Sequence, residues 1–254
     1  MKSNPNSSDS ASLPRSFNKV FCLGLSRTGT TSLFHALRAL GLRPFHYPLW
    51  LFSKPEILGL PPFCPALRLN PYAAWRRGKE LKASRNLHDA RALLEKHDAF
   101  TDLPIPLYYH SLDRFFPGSK FILTTRAVES WLQSMDWLFN TGGIVWKRGH
   151  LGDELHQAVY GTTVFDREKL LTAWHRHHGE VRAAFASRPG DFLEITVDRG
   201  EMTYEALEKL LGLEPSGLQG ECPRVNESTS LTAAETPSPP RGLLAKILQR
   251  LAVR

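Results

Sequence analysis

Cysteine is scarce. The 254 residues hold three, Cys22, Cys64 and Cys222, which are far apart and odd in number. That argues against a disulfide framework and against a zinc site built from cysteines. No apolar run reaches membrane-spanning length, and no charged segment followed by an apolar one opens the chain, so a reducing cytoplasm is the expected location. The sequons at Asn6 and Asn226 then carry no weight. Acidic residues are in deficit, 25 Asp and Glu against 32 Lys and Arg, a net charge of +7. Such a field favours an anionic partner. The basic residues are nevertheless spread along the chain, with no arm or arginine-rich block, and nucleic acid is not the expected partner.

Hydrophobic residues make up 42% of the chain and include six tryptophans, enough for a substantial core. Residues 1–17 are polar and rich in Ser and Asn, which predicts a disordered lead. Residues 20–25, VFCLGL, read as a buried parallel strand ending in a glycine-containing turn. Leu33, Phe34, Leu37 and Leu40 then follow helical spacing up to a C′ glycine at Gly41. Leu42–Phe45 reads as a short second strand. Seven prolines among aromatics mark residues 44–71 as a long irregular excursion. Helical patterns cover 79–97, a stretch through Trp131, Met135 and Leu138, 167–187, and Tyr204–Leu211 before Gly212. Apolar strands are expected at Lys120–Thr125 and Phe192–Val197. Strands alternating with helices predict an α/β layer with a mainly parallel sheet. Residues 229–242 read as a linker. In the last dozen residues, 243–254, Leu243, Leu244, Ile247, Leu248 and Leu251 recur at helical spacing beside Lys246, Arg250 and Arg254. They predict an amphipathic helix suited to peripheral membrane contact or to docking on the domain.

The most informative stretch is Gly24-Leu-Ser-Arg-Thr-Gly-Thr-Thr-Ser32, set between strand and helix. There, backbone N–H groups and a helix N-terminus converge on one point, and the helix dipole favours an anion. Arg27 adds a charged fork, and Ser26, Thr28, Thr30, Thr31 and Ser32 add hydroxyls around Gly29. The glycine spacing, Gly24 to Gly29, is that of the nucleoside triphosphatase loop G-x-x-x-x-G-K-[ST], but Thr30 replaces its lysine. The β/γ-phosphate clamp is therefore missing, and no clear acidic strand end offers a magnesium partner, which argues against an ordinary ATPase or P-loop kinase.

This loop resembles the 5′-phosphosulfate loop of P-loop sulfotransferases, with Arg27 where that family usually carries lysine. A second stretch, Phe116-Pro-Gly-Ser-Lys-Phe-Ile-Leu-Thr-Thr-Arg126 followed by Ser134, resembles the family's 3′-phosphate element. There an arginine ends a strand and a serine follows eight positions later, about 12 Å along a helix. Cys222-Pro-Arg-Val-Asn-Glu-Ser228 resembles the closing P-x-x-N segment of bacterial members, which brings Arg224 toward the nucleotide. The resemblance covers about residues 18–228. It implies a three-layer sandwich with a central parallel sheet and, as co-substrate, 3′-phosphoadenosine 5′-phosphosulfate (PAPS) without a metal. It implies transfer of a sulfuryl group to the hydroxyl or amine of a small molecule, lipid or sugar, with Arg27 neutralising the leaving phosphate. On the same resemblance, a binding protein of this fold that holds an adenine nucleotide or other anion without turnover is the alternative.

Sulfuryl transfer to a hydroxyl needs a proton acceptor. Two residues qualify. His46 follows the expected second strand, where related enzymes carry a catalytic glutamate, and its pKa range suits the task. Asp102, in Thr101-Asp-Leu-Pro104, follows a short apolar stretch and gains basicity if buried. His175, His177 and His178 fall in a predicted helix where 175 and 178 share a face. With no cysteine or H-E-x-x-H nearby, they read as a solvated or core-edge cluster rather than a metal site. Gly142–Gly143 before Trp146 breaks the chain as a loop or lid would.

Overall fold

The computed structural model describes residues 16–48, 94–140 and 151–225. Outside these lie most of the expected polar lead, residues 49–71 of the proline-rich stretch and 79–93 of the helix after it. The Gly142–Gly143 break, the linker 229–242 and the amphipathic segment 243–254 also lie outside. Five strands form one sheet: β1 (Val20–Cys22), β2 (Pro44–His46), β3 (Ala99–Thr101), β4 (Lys120–Thr125) and β5 (Phe192–Thr196). Their order is β2-β3-β1-β4-β5, and every pairing is parallel. Six α-helices lie wholly within the described residues: α1 (Thr30–Ala39), α2 (Ile105–Phe115), α3 (Val128–Asn140), α4 (Leu151–Tyr160), α5 (Arg167–Phe185) and α6 (Tyr204–Leu211).

Side-chain alternation along the strands builds the layers. Val20, Cys22, Ala99, Ile122 and Ile195 face one side and pack on Leu33, Ala36 and Leu37 of α1 and on Leu207 and Leu211 of α6. Phe21, Leu23, Phe100, Phe121 and Leu123 face the other and pack on α2, α3, α4 and α5 through Leu112, Trp131, Leu155 and Phe185. Both faces of the sheet are covered, which is why its strands read as continuous apolar runs. The fold is an α/β three-layer sandwich around a parallel sheet.

Connectivity positions the site. β1 hands the chain to α1 on one face, whereas β3 and β4 hand it to α2 and α3 on the other. Loops that diverge at the carboxyl ends of neighbouring strands leave a crevice between them.

Several expectations need correction. The strand expected over 20–25 ends at Cys22; Leu23 still donates to the Ile122 carbonyl at 2.7 Å before the chain turns. The second strand is Pro44–His46 rather than 42–45, so the proline-rich stretch begins with regular structure and His46 closes a strand. α2 and α4 were not anticipated. In α2, Pro106 disguises a helix start that prolines tolerate, although buried Ile105, Tyr108, Tyr109 and Leu112 keep helical spacing. The packed chain is under way before residue 18: Phe17 is buried, and Ser16 Oγ donates to the Leu211 carbonyl at 3.1 Å. Of the histidines expected to form a solvated or core-edge cluster, His177 and His178 are buried and His175 is exposed.

Candidate active site

A cleft of about 500 Å³ opens at the carboxyl ends of the strands. Ser26, Arg27, Gly29, Thr30, Thr31 and Ser32 line it from the β1–α1 loop, and His46 and Asp102 line it from the ends of β2 and β3. Arg126, after β4, and Arg224, near the end of the described chain, complete the basic rim. The fold thus gathers ten residues singled out in the sequence. Thr28 and Ser134 do not line the cleft.

The loop's shape depends on two glycines. A Cβ on Gly24 would lie 1.9 Å from Thr124 Oγ1 and 2.9 Å from the Thr124 carbonyl oxygen, so the loop presses on β4 where no side chain fits. Gly29 has φ +91° and caps α1 without a side-chain bond. The amides of Thr30, Thr31 and Ser32 therefore sit in a first helical turn that supplies no acceptor, at the positive end of the helix dipole.

Most of the loop's hydroxyls are committed internally. Thr28 is buried; its Oγ1 donates to the Leu25 carbonyl at 2.7 Å and meets Thr124 Oγ1 at 2.9 Å. Ser26 Oγ donates to Asp102 Oδ1 at 3.3 Å, and the Thr30 hydroxyl also bonds that carboxylate. Ser32 Oγ accepts from Val225 N at 2.9 Å, tying the closing segment across the cleft. The Ser26 amide goes to the Tyr160 hydroxyl at 3.1 Å, while Trp131 Nε1 donates to the Ser26 carbonyl at 3.0 Å. These clamps fix the loop and leave backbone amides and Arg27 as its candidate anion donors.

Arg27 and Arg126 are neighbours in the cleft. Arg126 Nη1 donates to the Arg27 carbonyl at 3.3 Å, Nη2 donates to Ser130 Oγ, and Nε lies 3.5 Å from Asp198 Oδ1. Ser134 lies outside the lining of the cleft, and its Oγ accepts from Arg27 Nε at 2.8 Å. Burial, together with the nearby Arg126, holds the Arg27 guanidinium below its ordinary value. Two concentrated positive charges with little solvent form a site that calls for negative charge. Arg224 pairs with Glu221 at 3.3 Å on the exposed rim.

At the other end of the loop, His46 Nδ1 meets Thr101 Oγ1 at 2.8 Å. His46 Nε2 lies 3.3 Å from Thr31 Oγ1 and 3.5 Å from Asp102 Oδ2. Asp102 adopts φ +71°, a conformation aspartate tolerates, and accepts from the Leu103 amide at 2.8 Å. Desolvation raises its pKa above the usual carboxylate range despite the opposing pull of His46. An acidic strand end therefore does exist, contrary to expectation, but its oxygens face His46, Ser26 and Leu103. No cluster of metal-ligating side chains occurs among the described residues.

Sequence reasoning missed Thr101, Ser130, Trp131, Tyr160 and Asp198. Thr101 and Ser130 adjoin the motifs and were within reach of a reading by strand-end position. Tyr160 lies on an unanticipated helix, and Asp198 follows β5, so only the fold brings them in.

A family described as a sulfotransferase domain matches residues 19–231. Among curated proteins, the Ava biosynthesis cluster protein M of Aspergillus versicolor is 35% identical over 117 residues. That alignment spans 46% of this chain and 41% of the relative's length.

Proposed function

The chain belongs to the sulfotransferase-domain family, and we propose that it moves a sulfuryl group from PAPS to a hydroxyl or amine of a small organic acceptor. One observation carries the reading: an anion-binding loop and a histidine–carboxylate pair share one cleft, linked by the 3.3 Å contact between Thr31 and His46. The 5′-phosphosulfate would sit on the first-turn amides of α1, with Arg27 beside the phosphate that becomes the leaving group. Arg126 and Arg224 supply positive charge for the second phosphate.

In the reaction the acceptor oxygen or nitrogen forms a bond to sulfur as the bond from sulfur to the 5′-phosphate oxygen breaks. The products are the sulfated acceptor and adenosine 3′,5′-bisphosphate. The acceptor's proton goes to His46 Nε2. Thr101 favours this by taking the proton on Nδ1 as a hydrogen bond, which leaves Nε2 as the basic nitrogen. Asp102 then faces an imidazolium and becomes its counter-ion. Positioning and fixed donors supply the rest of the stabilisation. The relative's printed name places it in a biosynthesis cluster, which supports a small metabolite as acceptor.

The test has two steps. Adenosine 3′,5′-bisphosphate at a hundred times its Kd should stabilise the protein by about 2.7 kcal/mol in a thermal melt. Radiolabelled PAPS should pass its label to a member of pooled hydroxyl- and amine-bearing metabolites. A protein that binds neither nucleotide refutes the reading. Tight binding with no transfer to any pool favours a nucleotide-binding role instead.

A further inference from the structure

Trp137 is a large aromatic left 41% exposed on α3, so core packing does not explain it. Its ring lies under the Arg27 guanidinium, 5.0 Å from ring centroid to guanidinium carbon. Ser134, three residues earlier on the same helix face, takes the Arg27 Nε proton at 2.8 Å. These two contacts fix both the plane and the rotation of a side chain that would otherwise sample many rotamers. They also use only the ring face and Nε. Among the described residues, no hydrogen bond or ion pair engages Nη1 or Nη2 of Arg27, and the residue lines the cleft. The paired Nη groups are the edge that receives two oxygens of a phosphate.

We propose that Trp137 is a positioning residue that seats Arg27, presenting its Nη edge to the phosphate end of the nucleotide. This rests on the sulfotransferase reading. The backbone at Arg27 supports the same conclusion. With φ +69°, unusual for a side-chain-bearing residue, it turns the side chain off the loop and onto α3. Arg126, which anchors on Ser130 one turn earlier, shows the same device: α3 holds each arginine through one serine.

The experiment is a double-mutant cycle read by calorimetry with adenosine 3′,5′-bisphosphate. Trp137→Leu should weaken binding about fivefold, the scale of a partly desolvated cation–π contact. Trp137→Phe, which keeps a π face, should recover most of that loss. In an Arg27→Ala background, Trp137→Leu should cost nothing further, since the ring acts only through the guanidinium. Wild-type binding with Trp137→Leu unchanged overturns this proposal alone. So does an equal loss from Trp137→Leu with and without Arg27, which would mark Trp137 as a direct contact or a general structural support. A wild-type protein that does not bind the bisphosphate overturns the sulfotransferase reading and this one with it.

Discussion

Gly24→Ala is the most incisive single change, because the loop's approach to β4 leaves no room for a methyl group. The added carbon would sit 1.9 Å from Thr124 Oγ1, 2.6 Å from Thr28 Oγ1 and 2.9 Å from the Thr124 carbonyl oxygen. Ordinary contact for such pairs is above 3.4 Å. Rotating Thr124 clears its hydroxyl but breaks the 2.9 Å bond to Thr28, and both residues are fully buried. A buried hydroxyl left without a partner costs about 1–3 kcal/mol. The carbonyl cannot rotate, so the backbone must also move a few tenths of an ångström, and overpacking of this kind costs about 1–3 kcal/mol more. The sum is roughly 2–6 kcal/mol, and the displaced loop should misaim the first-turn amides of α1. Urea denaturation and calorimetry with adenosine 3′,5′-bisphosphate read the two effects separately. An alanine variant within about 1 kcal/mol of wild type that binds the nucleotide equally well would refute the argument, because it would mean that the loop is not wedged against β4.

His46→Ala should lower turnover about 10²-fold or more while leaving nucleotide affinity near wild type, as expected of a base that acts in the transition state. Asp102→Asn should lower turnover less, and stability curves show whether its burial carries a cost. Because the folded-state pKa of Asp102 is raised, ionising it opposes folding, so the wild type loses stability as pH rises through that value and the Asn variant does not. An Asn variant with full turnover removes Asp102 from the mechanism. Arg126→Ala should weaken bisphosphate binding by about 1.5–3 kcal/mol, the scale of hydrogen bonds to charged groups, and unchanged calorimetry would exclude it as a ligand. Acid should unfold the protein early. Burial lowers His156 and His178 from 6.5 to about 4, so the unfolded chain takes up those protons first and stability is lost as pH falls from 6.5 toward 4. By pH 5 the two together cost roughly 4 kcal/mol, and a urea midpoint equal at pH 7.5 and pH 5 would contradict this.

The layers were legible in the sequence, because parallel strands covered on both faces must be apolar throughout and the helices between them keep 3.6-residue spacing. Val20–Cys22, Lys120–Thr125 and Phe192–Thr196 announce themselves in this way. α2 did not, since prolines and tyrosines in its first turns mimic a loop until burial shows that Ile105, Tyr108, Tyr109 and Leu112 share a face. The members of the site were legible too, because the chemistry of an anion loop restricts residue types. Their bonds were not. Whether a loop hydroxyl faces a ligand or a neighbour depends on what the fold sets beside it, and Thr28 and Ser32 turned out to hold the protein together.

The same dependence explains the roles within the histidine–carboxylate pair. From sequence, His46 and Asp102 are two separate candidates for the base, each at the end of an expected strand. Parallel pairing of β2 with β3 places His46 opposite Thr101, which brings Nδ1 of the imidazole within 2.8 Å of its hydroxyl. The turn after β3 then brings Asp102 Oδ2 to 3.5 Å from His46 Nε2, where desolvation raises its pKa and an imidazolium would lower it. Burial and the neighbouring imidazole therefore act on Asp102 in opposite directions. That balance arises from strand register rather than from either residue alone. A one-residue slip of β2 would turn His46 to the opposite face of the sheet. The short strand Pro44–His46 thus positions the proposed base as directly as the loop positions the anion.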